Sequence, residues 1–451
     1  MINNDTIVAI ATASGVGAIS IVRLSGCDAL KIALSITKKQ EFKPRLATLS
    51  KIYDNKNDLI DESLIIYFQN PHSFTGEDIV EFQCHGGIAI TNIILNTCIS
   101  YGARIANPGE FSQRAYLNEK IDLSQAYAIS KLIEAKSENA VKLLAKQLKG
   151  ELSSFVNEIR EDLLFILAYV EVSIDYAEED LPEDIFEQIK TKISNITLKL
   201  NNTLDSSKRR EGMIEGFKVA IIGKPNVGKS SLLNKLLNTN RAIVSSIAGT
   251  TRDTIEENIN IGTHIIKIVD TAGIREASDE IEQIGIEKSK EAIEQADIVL
   301  ALFDNSREFD DEDNQIKLLI NDTSKHIITI LNKCDLENKF DRNNVDNVDI
   351  ELSINKSLEK SSLKPIVNAL ENILNTNNSS DDMTLVSKTQ VIAVQDTLDE
   401  IIQSNTLLET GELEFFAHHI NEAIQNISKI TRPYENDQML DVMFGEFCLG
   451  K

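Results

Sequence analysis

A chain of 451 residues has room for two to four domains, each with its own core. Its net charge of −24 argues against a protein whose whole surface coats nucleic acid, though it leaves room for a local basic face. With no apolar run long enough to span a bilayer and no signal-peptide pattern at the N-terminus, a soluble cytoplasmic protein without a membrane partner is expected. The five cysteines, Cys27, Cys84, Cys98, Cys334 and Cys448, are odd in number and widely spaced, which reads as reduced thiols. No Cys/His group has zinc-finger spacing, and His418-His419 reads as a helix pair, so no zinc is assigned.

Residues 1–118 show strand-like alternation broken by turns. Thr6–Ala11 and Ala18–Leu24 are β-rich runs joined by Ser14-Gly15-Val16-Gly17, a hairpin signal. Leu64–Phe68 and Ile79–Gln83 read as two more strands around the polar loop Pro71–Asp78, and His85-Gly86-Gly87 precedes a helical run, Ile88–Ser100. This predicts an α+β domain whose loops are available to a ligand.

From Ser124 to about Ala177 the pattern turns helical, with Leu144, Leu148, Leu152, Phe155, Ile159, Leu163, Ile166, Val170 and Ile174 on one stripe. Asp175–Asp184 is an acidic breaker. A second helical stretch runs from Ile185 to about Ser207, and Arg209–Gly216 reads as a short polar junction. Helical periodicity returns over Leu385–Ile430, with Val391, Val394, Leu398, Ile401 and Ile402 on one stripe, after the polar linker Thr376–Asp382. Two helical blocks around a central domain predict an insertion, its two ends emerging close together. The expected boundaries are 1–118 for the N-terminal domain, 119–215 and 376–451 for an all-α helical domain, and 216–375 for the inserted central domain.

The central domain opens on Gly223-Lys224-Pro225-Asn226-Val227-Gly228-Lys229-Ser230, between the apolar run Phe217–Ile222 and the helix-like Ser231–Leu237. Strand, glycine loop and helix in that order build a nest of backbone N–H groups at a helix N-terminus, a cradle for phosphates. Lys229 reaches the outer phosphates, and the Ser230 hydroxyl suits Mg²⁺. Asp270-Thr271-Ala272-Gly273 ends another apolar run, where a carboxylate can hold the Mg²⁺ shell and a glycine N–H can meet the γ-phosphate. Gly249-Thr250-Thr251 supplies a switch threonine for Mg²⁺. Asn332-Lys333-Cys334-Asp335 ends the run Ile327–Leu331, and Asp335 can accept two hydrogen bonds from the guanine edge that adenine cannot offer. The expected nucleotide is GTP, and residues 216–375 are expected to form an α/β P-loop (Ras-like) G domain. Ile274 stands where Ras-like GTPases carry a water-orienting Gln, so another group must align water.

With these motifs in place, the whole chain resembles the MnmE (TrmE) family of tRNA modification GTPases. The likeness rests on Asp5-Thr6-Ile7-Val8-Ala9, Ser73-Phe74-Thr75-Gly76-Glu77-Asp78 and Pro108-Gly109-Glu110-Phe111. It rests equally on Asp270–Gly273 followed by Arg275-Glu276-Ala277-Ser278-Asp279-Glu280, and on the terminal Cys448-Leu449-Gly450-Lys451. The resemblance implies a homodimer that, in a heterotetramer with the FAD- and NADH-using flavoprotein MnmG, adds an aminomethyl-type group such as carboxymethylaminomethyl to C5 of wobble uridine in certain tRNAs. The one-carbon unit would come from 5,10-methylene- or 5-formyl-tetrahydrofolate. By motif position the folate contacts are Arg23, Glu81, Lys120 and Lys451; taken alone, each is a surface charge. The resemblance also gives Glu282 as the catalytic glutamate, on an acidic stretch that could equally be an exposed helix start.

The nucleotide site implied by the family spans Asn226, Val227, Gly228, Lys229, Ser230 and Ser231, then Ser245, Ser246, Ile247, Ala248, Gly249, Thr250 and Thr251. It continues with Asp270, Thr271, Ala272 and Gly273, then Asn332, Lys333 and Asp335, and ends at Ser353, where Ser353-Ile354-Asn355 stands for the usual Ser-Ala-x. Mg²⁺ falls to Ser230 and Thr251. K⁺, in place of an arginine finger, falls to Asn226, Ser245, Ile247 and Thr250. The apolar tail around Phe444 and Phe447 favours docking, leaving Cys448 either a catalytic thiol or a structural one. Two other classes compete. A ribosome-assembly GTPase would need a basic RNA-binding module with a Gly-x-x-Gly loop, and a membrane-remodelling GTPase would need an anchor or basic amphipathic face; neither feature is evident.

Overall fold

The computed structural model describes residues 5–13, 15–135, 137–175, 183–240, 257–269, 282–323, 325–345, 347–354, 363–376 and 383–432. Its contacts divide the chain into two units, residues 1–134, 144–198 and 392–451 in one and residues 135–143 and 199–391 in the other.

The first unit begins with β1 (Ile7–Ile10) and β2 (Ile19–Ser25), then α1 (Ala29–Thr37), β3 (Thr48–Tyr53), β4 (Leu59–Phe68), β5 (Ile79–His85), α2 (Ile88–Ser100), β6 (Arg104–Ile105) and α3 (Glu110–Leu117). The strands form one sheet in the order β3-β4-β5-β2-β1-β6, antiparallel except for the β1–β6 pair. Side chains alternate across a strand, so the even positions Val22, Leu24, Val80 and Phe82 bury against Ile32 and Ile36 of α1 and Ile94 and Cys98 of α2. The odd positions face the other way, where Ile7 and Ala9 pack on Phe111 of α3. That parity places Arg23 and Glu81 on the α3 side of the sheet.

The helices α4 (Leu123–Glu134), α5 (Glu138–Leu148), α6 (Glu151–Asp175) and α7 (Glu183–Glu215) follow. The apolar stripe that reads as continuous through Leu144–Ile174 is broken at Gly150, whose φ of 86° ends α5 and lets α6 start in a new direction. Within α6, Leu152, Val156, Ile159, Leu163, Ile166 and Val170 are all fully buried. A second difference lies in Arg209–Gly216, which is not a junction. α7 continues as helix to Glu215, because its last turns are anchored by buried Met213 and buried Arg210 and only Gly216, at φ 91°, stops it.

β7 (Phe217–Gly223) opens the second sheet, followed by α8 (Lys229–Asn240), β8 (Glu257–Ile261), β9 (His264–Val269), α9 (Glu282–Gln295), β10 (Ile298–Asp304), α10 (Asp311–Asn321), β11 (His326–Asn332), β12 (Ile350–Glu351) and α11 (Lys364–Thr376). The order is β12-β11-β10-β7-β9-β8, parallel except at the β8 edge. One face is covered by Leu232, Leu233 and Leu236 of α8 with Ile366 and Leu370 of α11. The other is covered by Ile293 of α9 with Ile316 and Ile320 of α10. This is the doubly wound α/β arrangement, and it brings the carboxyl ends of β7, β10 and β11 to one edge.

The chain then enters α12 (Lys388–Thr410) and, after Gly411 at φ 80°, α13 (Leu413–Ser428), which packs along α6. Where α7 meets the segment before α12, three hydrogen bonds, two of them buried, join residues far apart in sequence. Ser206 Oγ donates to Met383 O at 2.9 Å, Leu385 N–H donates to Ser207 Oγ at 2.9 Å, and Arg210 donates to Thr384 Oγ1 at 2.7 Å. The two ends of the central segment are therefore held side by side. Among the described residues no helix is long and apolar enough to cross a membrane.

Candidate functional site

The glycine loop leaves β7 at Gly223 and enters α8 at Lys229, with Asn226 and Gly228 both in the left-handed region at φ 63° and 115°. Asparagine and glycine are the residues that adopt such angles at least cost, and left-handed residues alternating along a turn are the backbone pattern of an anion-binding nest. Half-buried Lys229 sits at the mouth of the loop, its Nζ donating to Gly223 O at 2.6 Å and Lys224 O at 2.8 Å. An ammonium has three protons, so this geometry positions the group and keeps one donor for a phosphate oxygen. Burial pulls its pKa below the ordinary lysine value. Ser230 and Ser231 follow in the first turn of α8, and buried Val227 points into the core.

Asn332, at the carboxyl end of β11, locks this loop to the base side of the site. Its Nδ2 donates to Val227 O at 2.7 Å, and its Oδ1 accepts from Ile354 N–H at 3.0 Å. A methyl placed on Gly228 would lie 2.3 Å from the same Nδ2, so no side chain fits there. Lys333, at φ 60°, turns to Asp304 with Nζ–Oδ2 of 2.6 Å. Burial works to raise the Asp304 pKa, but the bonds from Lys333 and Ser306 hold it below the usual carboxylate value. Asp335 is exposed, and its backbone N–H donates to Ser353 Oγ at 2.9 Å, which brings the fourth and fifth motifs together.

Two contributors have no motif to announce them. Asp304 closes β10, a fully buried run, and fixes Lys333. Lys224 is buried inside the loop and pairs with Asp313 at 3.0 Å and with Asp310, the N-cap of α10. Burial opposes the Lys224 charge, yet the two carboxylates hold its pKa above the ordinary lysine value. An Asp-x-x-Asp capping pattern beyond a buried strand was the available signal for this pair.

On the other unit, Arg23 of β2 and Glu81 of β5 are directly opposed across the sheet, Arg23 Nε donating to Glu81 Oε1 at 2.8 Å. The guanidinium lies 5.7 Å from the centre of the Phe111 ring. Nearby, the Lys120 stem rests on Gly76, where an added methyl would come within 2.9 Å of Lys120 Cε. Beneath that loop Ser25 bonds Thr75 and Glu77, both at 2.7 Å, and Arg114 joins Glu77, Asp5 and Glu110 at 3.0, 2.6 and 3.0 Å. Arg104 bridges Asp5 and Glu110 from the other side, at 2.5 Å to each.

The profile described as "GTP-binding protein TrmE N-terminus" matches residues 6–120, and that described as "MnmE helical domain" matches residues 123–448. A protein of Aliarcobacter butzleri named tRNA modification GTPase MnmE is 67% identical over 452 residues, covering all of both chains. The chain belongs to the MnmE family of tRNA modification GTPases. Proteins of the same name from Sulfurimonas denitrificans and Sulfurovum sp. are 59% and 55% identical, again over 99% or more of each chain.

Of the residues the MnmE resemblance assigns, the structure brings Asn226–Ser231, Asn332, Lys333, Asp335 and Ser353 to one edge of the second sheet. It brings Arg23 and Glu81 together on the first sheet. Glu282 is the first residue of α9. Ser245, Ser246, Ile247, Ala248, Gly249, Thr250, Thr251, Asp270, Thr271, Ala272, Gly273, Cys448 and Lys451 lie outside the described residues.

Proposed function

We propose that this chain binds and hydrolyses GTP and, with the flavoprotein MnmG, takes part in adding a carboxymethylaminomethyl-type group to C5 of wobble uridine in tRNA. The single observation that carries this reading is the 67% identity, end to end, with a protein named tRNA modification GTPase MnmE. The geometry supports the GTPase half: a loop with the backbone pattern of an anion-binding nest, Lys229 with one donor to spare, and a base-side segment tied to that loop through Asn332.

The described residues, Ser230 and Asn226, are chemically suited to the ions the family implies. Ser230 stands at the start of α8, where with Thr251 it would hold Mg²⁺. Asn226 sits at the exposed loop rim with no protein partner among the described residues, so its side-chain oxygen is available to K⁺, which it would hold with Ser245, Ile247 and Thr250. Both ions would neutralise charge that grows on the phosphates during transfer. Since Ile274 cannot orient water, Glu282 is assigned that task.

On the first sheet, Arg23 engages Glu81 through Oε1, leaving the second carboxylate oxygen, among the described residues, for the donor edge of a pterin. Lys120 over Gly76 and the terminal Lys451 would suit the anionic tail of a tetrahydrofolate derivative, which supplies the one-carbon unit. FAD and NADH chemistry belongs to MnmG. The assembly is a homodimer joined to MnmG in a heterotetramer, acting in the cytoplasm, with Cys448 serving the modification step or the packing of the tail. Mass analysis of wobble nucleosides from a strain lacking this protein tests the reading. Loss of C5-modified uridine is expected, and an unchanged nucleoside profile would overturn it.

A further inference from the structure

At the amino ends of the parallel strands, opposite the nucleotide edge, the second unit carries a cleft of about 340 Å³. β7, β10 and β11 each run seven residues, so roughly 20 Å of sheet separates this cleft from the glycine loop. Its floor is apolar, built from Phe217 and Ile298 with the end of α11, and its walls are basic. Lys208 and Arg209 come from α7, Lys218 from β7, and Lys325 from the turn before β11.

The charge balance here is inverted. The whole chain has 46 basic and 70 acidic residues, yet among the described residues the cleft shows four cations to one carboxylate. That carboxylate, Asp297, is already engaged, its Oδ2 accepting the Lys218 backbone N–H at 2.8 Å. Among the described residues none of the four cations has an ion-pair partner, and only Lys325 has a weak contact, 3.4 Å to Glu294 O. Lys208, Arg209 and Lys218 are exposed. The cleft is also a fixed shape. Gly212 lets the last turns of α7 pass over Phe217, since a methyl there would lie 2.4 Å from the ring, and Gly216 at φ 91° makes the joint.

We infer that this cleft is a binding site for the phosphodiester backbone of RNA, remote from the GTP site. The inference rests on the reading that the chain acts on tRNA. A polyanion approaching a surface of net charge −24 is repelled unless cations gather locally, and this cleft gathers four. An acidic peptide would be drawn by the same charge. RNA is favoured because the apolar floor beside the cations suits sugar and base surfaces, and because RNA is the substrate class of the proposed function.

The test uses the full-length chain with GTP, K⁺ and Mg²⁺, and fluorescently labelled unmodified tRNA titrated over a salt series. Charge reversal at Lys208→Glu, Arg209→Glu and Lys218→Glu together should lower tRNA affinity at least tenfold at low salt. The slope of log affinity against log salt should shrink by about 2–3, three phosphate contacts at ~0.7–0.9 each. Lys208→Arg with Lys218→Arg should bind like wild type. GTP turnover should be unchanged in every variant, which shows that each is folded. Wild-type affinity and slope in the reversed variant would overturn the cleft as an RNA site while leaving the tRNA reading standing. Absence of tRNA binding by the wild-type chain would overturn both. Displacement of tRNA by polyglutamate as readily as by unlabelled tRNA would overturn it in favour of an acidic protein partner.

Discussion

Asn332→Ala removes one side chain and, with it, both ties between the glycine loop and the base side of the site. Asn332, Val227 and Ile354 are 3%, 2% and 1% exposed, so water has little access to the groups left behind. The Val227 carbonyl and the Ile354 N–H are each orphaned in a buried setting, at roughly 1–3 kcal/mol apiece, giving about 2–6 kcal/mol in all. In a domain of this size each kcal/mol moves the midpoint by roughly 2–4 °C, so a fall of about 4–24 °C is expected. The assay is thermal unfolding, following the transition that added GTP shifts upward, together with nucleotide competition. GTP affinity should fall as well, because the loop loses the clamp that orients its N–H groups. A midpoint within about 2 °C of wild type and an unaltered GTP affinity would refute the idea that this side chain holds the site together.

Asp335→Asn should weaken GTP binding by roughly 1.5–3 kcal/mol and gain xanthosine triphosphate, read in a competition assay. Because Asp335 is exposed, its variant should melt like wild type, in contrast with Asn332→Ala. Glu282→Ala should bind GTP normally but turn it over far more slowly; a rate within about threefold of wild type, under roughly 1 kcal/mol of barrier, would make Glu282 a surface acid. Asp5 and Glu110 predict an acid limb to stability. Burial works to raise both pKa values, but Arg104 and Arg114 hold them below the ordinary 3.8 and 4.5. A depressed folded pKa stabilises above the ordinary value and loses that contribution as pH falls through the folded one. Denaturant midpoints should therefore drop below about pH 4.5, and Glu110→Gln should flatten that limb while lowering the midpoint at pH 7.

Much of this architecture is legible from local pattern. The helix Ile88–Ser100 and the strand beginning at Phe217 fall where their apolar runs place them, because each run starts directly after a glycine. The doubly wound fold follows from motifs that must sit at strand ends. The misses have particular causes. Gly150 interrupts an otherwise unbroken apolar stripe, and nothing in a 3.6-residue period reports a single left-handed residue. Arg209–Gly216 looks like a linker because it is polar, yet Arg210 is buried by a partner 174 residues away, which no local window contains. The pairing of Lys333 with Asp304 and of Lys224 with Asp313 joins separate strands and loops, so only the fold reveals it. On the first sheet the parity of the strands puts Arg23 and Glu81 on one face, but their direct opposition depends on register, which the sequence leaves open.

The clasp of Ser206, Ser207 and Arg210 on residues 383–385 gives the segment between them a closed base. For a chain loop, doubling the length adds only about 0.6 kcal/mol to the entropy of closing it. What fixes the ends is thus the clasp rather than the size of what lies between. Behind such a tether the intervening residues can lengthen, shorten or loosen locally without reopening the ring at its base. The hydrolytic segment is in this sense a replaceable cassette, and a chain built this way can change the timing of its nucleotide cycle by mutation inside the ring while its helices keep the contacts they already make.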